Sequence, residues 1–263
     1  MMRIDTGRYD YIQARLQARH AQHPDAALWQ RLAALRDLPL FLQTGRASGV
    51  RPWLEGLAPD TSPHRMEQLL RQRFRNEVRL VAGWQPRPWQ AATAWIAHWM
   101  DLPALGGLLR RETVPEWMYQ DPDYAPLAKL PLAARGDALL QTRWAPLLHQ
   151  SGGNTDLRQA WFDHWRRLWP GHENSDRAGV EALAQGLAVQ PTVRTGTPAA
   201  DRRQREQWRA WLLIRFRRMT RAPVSAMLYL FLVEQDLERL RGTLLQRRLF
   251  PELRTEATDD PAP

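Results

Sequence analysis

Apolar residues recur every three or four positions along most of the chain, which is the spacing of one face of an α-helix. Near the N-terminus Ile12 and Leu16 lie on one such stripe, and Pro24 stops that helix. Asp25 can cap a second helix, and Pro63 suits the first turn of a third. No stretch shows the sustained alternation of a half-buried strand, so the sequence predicts an all-α fold.

Prolines interrupt this pattern near the middle of the chain, and helices resume after them. We expect a connector over about 112–132, a basic helix over about 201–221 and a long last helix over about 223–248. The polar tail at 251–263 has too little apolar surface to order itself. The sequence therefore predicts one helical domain over 1–250, with pseudo-repeats at about 8–111 and 133–249, and a disordered tail.

Three tryptophans recur at every fourth residue and lie on one face of a predicted helix: Trp161, Trp165 and Trp169. Such a stripe can stack on nucleic-acid bases or on a planar ligand. Large aromatic side chains at this spacing are more often part of a hydrophobic core. We therefore expect a core role.

A short pattern occurs twice in the chain. Residues 101–109 (DLPALGGLL) match residues 236–244 (DLERLRGTL) at five of nine positions, and an apolar segment precedes each copy. This repetition indicates a duplicated helical unit. Glycine costs about 1 kcal/mol relative to alanine inside a helix, so the matched Gly107 and Gly242 predict the close approach of another backbone.

Three segments resemble the C/d-type socket subunits of the archaeal and vacuolar (V/A-type) rotary ATPases. The segment at 229–241 (YLFLVEQDLERLR) is similar to the C-terminal signature of that family. The segment at 101–110 (DLPALGGLLR) resembles its internal motif, and the segment at 9–19 (YDYIQARLQAR) resembles its N-terminal helix. The three appear in the order found in the family and span almost the whole chain.

The resemblance implies a funnel-like assembly of repeated helical units with no catalytic role and no cofactor or metal of its own. Members of this family form a socket between the central stalk and the membrane rotor ring, and so take part in ion and proton transport. The implied location is cytoplasmic, peripheral to the inner face of the membrane. Residues of the three segments are structural or partner-binding candidates: Tyr11, Arg15, Asp101, Arg110, Glu234, Asp236 and Arg241.

Two of these residues, Asp101 and Asp236, also have the residue type of a catalytic carboxylate pair. General acid–base catalysis needs both groups in one pocket, and nothing in the sequence places them together, so a structural role is favoured. Glu234 lies beside the apolar seam of the last helix, where an unpaired carboxylate is costly. We expect either an exposed charge or a pair with an arginine of another helix, Arg15 and Arg241 being the candidates. Arg241 is a full heptad after Glu234 and cannot readily reach it along the same helix.

Composition excludes several classes of function. The chain has no cysteine, and hence no disulfide, zinc knuckle or thiol nucleophile. His20 and His23 have a spacing that can bind a metal on a helix, but no third ligand accompanies them. Phosphate-loop, dinucleotide, metalloprotease and nucleophile-elbow motifs are missing, which argues against a nucleotide site.

The N-terminus lacks a secretory h-region, and the longest apolar run, 222–233, is shorter than the ~20 residues that span a bilayer.

The formal net charge of +9 leaves a rival function open. Of the 37 basic residues only Lys129 is a lysine, and arginines concentrate around Trp208 and Trp211 in the basic helix. An arginine face interleaved with aromatics suits nucleic acid, although the same pattern describes the solvent side of an amphipathic helix. An adaptor in another membrane-associated complex is a further alternative.

Overall fold

The structure is a computed structural model that describes residues 6–148, 156–171, 176–190 and 197–250. These residues contain helices and no strand, which confirms the all-α prediction. Short 3-10 helices occupy Ile96–Asp101 and Ala145–Leu147. The α-helices are α1 Thr6–His20, α2 Ala26–Ala34, α3 Leu38–Arg46, α4 Arg51–Leu54, α5 Pro63–Trp84, α6 Arg87–Trp95, α7 Leu102–Arg110, α8 Trp117–Gln120, α9 Ala125–Ala128, α10 Leu132–Leu139, α11 Leu157–Arg167, α12 Arg177–Ala188, α13 Pro198–Arg218 and α14 Pro223–Leu249.

Helix boundaries follow the local signals in the sequence. The Asp25 carboxylate accepts a hydrogen bond from the Leu28 amide at 2.7 Å and caps α2. Pro63 opens α5, as predicted, and the preceding Ser62 hydroxyl accepts from an amide of its first turn. The predicted connector over 112–132 contains only the short helices α8 and α9. The predicted disordered tail at 251–263 lies outside the described residues.

The chain divides into two compact units. Unit 1 comprises residues 1–13 and 75–230, and unit 2 comprises residues 14–74 and 231–263. Each unit therefore joins segments that are far apart in sequence, and neither coincides with a predicted pseudo-repeat. The helices α1, α5 and α14 each contribute to both units.

Tryptophans fill the core of unit 1 where α6 and α11 meet. Trp161 and Trp165 are fully buried and Trp169 nearly so, which confirms the predicted core role of the stripe. The indole of Trp165 donates to the Ala92 carbonyl at 2.9 Å, and that of Trp95 donates to the Trp161 carbonyl at 3.2 Å. The indole groups therefore both fill volume and fix the register of the two helices.

A buried arginine caps the C-terminal end of α7 in unit 1. Arg135 of α10 donates to the carbonyls of Leu108 and Arg111 at 2.9 and 2.7 Å. It also donates to the carbonyls of Leu130 and Glu112, at 2.9 and 3.1 Å. The last carbonyls of a helix have no intrahelical partner, so one guanidinium satisfies several groups that burial would otherwise leave costly.

Unit 2 contains a similar arrangement at the end of α2. Arg247, near the end of α14, donates to the carbonyls of Leu32 and Leu35 at 3.0 and 2.7 Å. Its guanidinium lies 4.8 Å from the centre of the Phe41 ring. The last turn of α14 is thereby attached to α2 and α3.

The glycine prediction is wrong. A Cβ added at Gly107 or Gly242 would meet nothing within 4 Å, so no other backbone packs closely against either glycine. Close approach occurs instead at Gly186 of α12, where an added Cβ would lie 2.9 Å from the Trp211 ring and 3.1 Å from the Trp208 ring. Tertiary packing, rather than position in the repeated pattern, decides which helical glycine is required.

Alanine substitutions at these two kinds of glycine should change the stability in opposite directions. Gly242→Ala should raise the free energy of unfolding by up to about 1 kcal/mol, because it improves helix propensity at an exposed site. Gly186→Ala should lower it by about 1–3 kcal/mol, because the new methyl group displaces two packed indoles. Urea unfolding followed by circular dichroism measures both, and changes of the same sign would contradict the packing described for Gly186.

Candidate functional site

The first aspartate of the repeated pattern lies at the centre of a buried polar cluster in unit 1. Asp101 ends the first 3-10 helix and is 1% exposed. Its Oδ1 accepts from the Tyr124 hydroxyl at 3.1 Å and from Arg75 Nη1 at 3.2 Å, and its Oδ2 accepts from Trp144 Nε1 at 3.2 Å. The carboxylate therefore has three donors, each from a different segment of unit 1.

A second carboxylate completes this cluster. Asp123 accepts from Arg75 Nη2 at 2.8 Å, so Arg75 bridges the two acids. Arg143 Nη1 lies 2.9 Å from Asp123 Oδ1, and its Nη2 lies 4.0 Å from Asp101 Oδ2. We call the group the Asp101 cluster, and it consists of Arg75, Asp101, Asp123, Tyr124, Arg143 and Trp144.

Aromatic stacking positions the donors of the Asp101 cluster. The rings of Tyr124 and Trp144 are parallel within 5°, with centroids 5.4 Å apart. The Arg143 guanidinium covers the Trp144 ring at 4.4 Å. The hydroxyl and the indole N–H are thus presented to Asp101 from rigid, stacked rings.

Charge neighbours keep both acids ionised. Burial raises the pKa of Asp101, but contact with His98 and the charges of Arg75 and Arg143 outweigh burial, and the net pKa lies below the usual value. Asp123 behaves in the same way. Burial raises its pKa, but the hydrogen bond from Arg143 and the charge of Arg75 lower it by more, so the net pKa lies below the usual value. The cluster is consequently a set of paired charges rather than a proton donor poised near neutral pH.

The second aspartate of the pattern is buried in unit 2. Asp236 of α14 is 1% exposed, and its Oδ2 lies 2.9 Å from Nδ1 of His23, whose side chain is also buried. The His23 ring meets Trp53 edge-on, with centroids 5.4 Å apart. Among the described residues, no group of three or more acidic or histidine side chains is placed to hold a metal ion.

Of the two candidate partners of Glu234, Arg241 does not pair with it. Arg241 instead binds Glu67 of α5, with Nε 2.7 Å from Oε1, and Glu238 at 3.4 Å. A heptad of helix places Glu234 about 10 Å along the axis from Arg241, beyond easy reach. Glu234 is buried, so the alternative of an exposed charge is wrong. Its carboxylate accepts from the side-chain amide of Gln235 at 2.7 Å, and its pairing with Arg15 stays a prediction.

The remaining predicted residues lie on the surface. Tyr11 and Arg15 are exposed on α1, and Arg110 is exposed at the end of α7. A Cβ added at Gly106 would lie 2.9 Å from Nη2 of Arg110, so the guanidinium folds back over its own helix. The predicted set therefore separates into buried acids, exposed groups on α1 and α7, and the half-buried Arg241, which binds Glu67 and Glu238.

Sequence reasoning missed most donors of the Asp101 cluster. Arg75 is one of several arginines on α5, and no local pattern distinguishes it from Arg73 or Arg79. Arg143 and Trp144 lie in a short turn without periodicity. Their common signal is three-dimensional, since they converge on one carboxylate from segments that are 20 or more residues apart.

Comparison with protein-family models, with curated proteins and with solved structures found no match for this chain. Within the described ranges, no helix is both long enough and apolar enough to cross a membrane.

Removing the charge of Asp101 should strongly destabilise the protein. Asp101→Asn leaves Arg75 paired with Asp123 alone and removes the ionised acceptor of the buried Tyr124 and Trp144 donors, which costs about 3 kcal/mol. Asp123→Asn is the matched control, with an expected loss of about 1 kcal/mol because its side chain is more exposed. Urea unfolding compares the two variants. Equal losses of unfolding free energy would show that the deeper burial of Asp101 does not increase its contribution to stability.

The Asp101 cluster also predicts a dependence of stability on pH. Because the folded pKa values of Asp101 and Asp123 lie below the ordinary 3.8, their contribution to stability is complete above about pH 5 and is lost as pH falls below 3.8 and through the folded values. Burial, and then the charge of Arg167, lowers the pKa of His164. The contribution of the neutral imidazole to stability is therefore lost as pH falls below about 6.5, and this loss is the same in wild type and in the Asp101 variant.

Unfolding free energies of wild type and Asp101→Asn between pH 3 and pH 7 isolate the aspartate. The difference between the two proteins should be constant above pH 5 and should shrink below pH 4. A difference that stays constant down to pH 3 would contradict the lowered pKa of Asp101.

Proposed function

We propose that this chain is the non-catalytic socket subunit of a V/A-type rotary ATPase, joining the central stalk to the membrane rotor ring. In this role it transmits torque during ion transport from the cytoplasmic side of the membrane. Its partners are the stalk subunits and the ring, and it contacts the membrane only through the ring. The funnel of repeated helical units is part of the same proposal.

One observation carries the proposal beyond the ordered resemblance of three segments. Asp101 and Asp236, the acids at matched positions of the repeated pattern, are both almost fully buried, and each accepts a bond from a distant segment of its own unit. Acids used in this way support a helical scaffold whose function lies in its surfaces. An acid used in catalysis must meet a substrate, and these two carboxylates face protein donors.

The adaptor alternative shares these supports, because it keeps the fold and changes only the partner. A role in binding nucleic acid is favoured by the exposed arginines of α13. It is disfavoured by the packing of Trp208 and Trp211, whose rings stack on each other with centroids 4.9 Å apart and lie against Gly186. Indoles held in this way are not available to stack on bases.

The test of the proposal is assembly with defined partners. The tagged chain, co-expressed with the stalk and ring subunits of a rotary ATPase from the same genome, should purify with both. Recovery of neither partner, when both are present and folded, would overturn the motor role, and recovery of another membrane complex would favour the adaptor.

Within such an assembly, Arg110→Glu should reduce recovery of the partner that meets the end of α7. Reversal of an interface charge places like charges together, and a loss of about tenfold corresponds to about 1.4 kcal/mol. Arg87→Glu, a reversal at another exposed helix end, is the matched control and should leave recovery unchanged. Equal effects of the two substitutions would remove Arg110 from the interface.

A further inference from the structure

Helix α13 of unit 1 concentrates positive charge on its outer face. It carries seven arginines and two acidic residues. Four of the arginines are exposed, and none of these four forms an ion pair within the described part of the chain: Arg202, Arg203, Arg217 and Arg218. The opposite side of the helix is buried through Trp208, Leu212 and Phe216. The core of unit 1 therefore fixes which face of α13 carries the exposed arginines.

The exposed arginines form two pairs, separated along the helix by a stretch that exposes no arginine. At 3.6 residues per turn, all four lie within an arc of about 160°. Arg203 and Arg217 are separated by about 21 Å along the axis, at 1.5 Å per residue. Between them the same face carries Glu206, Gln207, Ala210 and Ile214, and Ile214 is 49% exposed.

We infer that this surface, the α13 arginine face (Arg202, Arg203, Ile214, Arg217 and Arg218), docks an acidic helix of a partner protein. The partner carries carboxylates at both ends of a span of about 21 Å and an apolar side chain between them. Arginine binds carboxylates through two parallel hydrogen bonds, which gives direction as well as attraction. An exposed apolar residue bounded by charge matches the core and rim of a protein interface.

Two other anionic partners fit this surface less well. A nucleic-acid strand presents phosphates continuously, whereas the stretch between the two arginine pairs exposes no arginine and carries Glu206, which repels any anion placed there. The proposed partner helix avoids this repulsion because its carboxylates lie only at the two ends of the span. A membrane-surface helix turns its apolar side to the lipid, but the apolar side of α13 is buried in unit 1. Ile214 alone provides too little apolar area for insertion. The docking surface does not depend on the rotor role, since any acidic partner helix satisfies it.

The test uses the full chain and a defined probe. The probe is a dye-labelled, alanine-based helical peptide with glutamate pairs 14 positions apart on one face and leucine between them, and its counterpart has glutamine for every glutamate. Fluorescence anisotropy at two salt concentrations measures Kd. The glutamate peptide should bind at least about tenfold more tightly than the glutamine peptide, and the difference should shrink at high salt.

Two variants of equal net charge separate the α13 arginine face from overall charge. The first replaces Arg202, Arg203, Arg217 and Arg218 by glutamate, and the second makes the same change at exposed arginines elsewhere: Arg31, Arg36, Arg51 and Arg87. Each reversal lowers the net charge by two, so both variants pass from +9 to +1. The first should raise Kd for the glutamate peptide about tenfold and the second by less than about twofold. Thermal melting by circular dichroism confirms that both are folded.

Several outcomes would overturn this assignment. Equal losses in the two variants would make the binding a consequence of net charge. Tighter binding of a 20-base-pair DNA duplex, lost only in the α13 variant, would assign the surface to nucleic acid. Tighter binding to vesicles with 30 mol% phosphatidylglycerol, lost in the same way, would assign it to the membrane. No measurable binding of the glutamate peptide would remove the docking role, and none of these results bears on co-purification with rotary ATPase subunits.

Discussion

The buried carboxylate of Asp101 is the constraint on which much of unit 1 depends. An ionised group that is 1% exposed is stable only when donors replace the water it has lost. Arg75, Tyr124 and Trp144 supply those donors from three separate segments. A helix that moved away from this carboxylate would leave a buried charge partly unpaired, so the cluster penalises any other arrangement of these segments. Its contribution is therefore to specificity of packing as well as to stability.

The second copy of the pattern keeps the acid and its burial but changes the donor. Asp236 is as deeply buried as Asp101, yet it faces a histidine, His23, in place of an arginine flanked by two aromatic donors. The matched spacing therefore preserves a buried acid but not the type of its partner. In each unit the carboxylate is thus an acceptor that a distant segment of the same unit approaches with a donor.

Much of the secondary structure could be predicted, because its signals are local. The cap at Asp25, the start of α5 at Pro63 and the buried tryptophan stripe of α11 each depend on residues within a few positions. The partners of Asp101, and the choice of Glu67 for Arg241, depend on which helices meet, and periodicity does not contain that information. The glycine prediction failed for the same reason: a pattern identifies a face of a helix but not what covers it.

Arginine has three distinct uses in this chain, and they change the meaning of the net charge. Arg135 and Arg247 satisfy helix-terminal carbonyls, and Arg75 neutralises buried acids. Genome composition can explain why nearly every basic residue is arginine, but it cannot explain this placement, because a lysine has no planar array of donors with which to reach several carbonyls at once. The charge available to partners is consequently smaller than +9 suggests and is more localised. On α13, where the buried side fixes the helix and four arginines remain exposed, that charge has the direction and spacing of a binding surface.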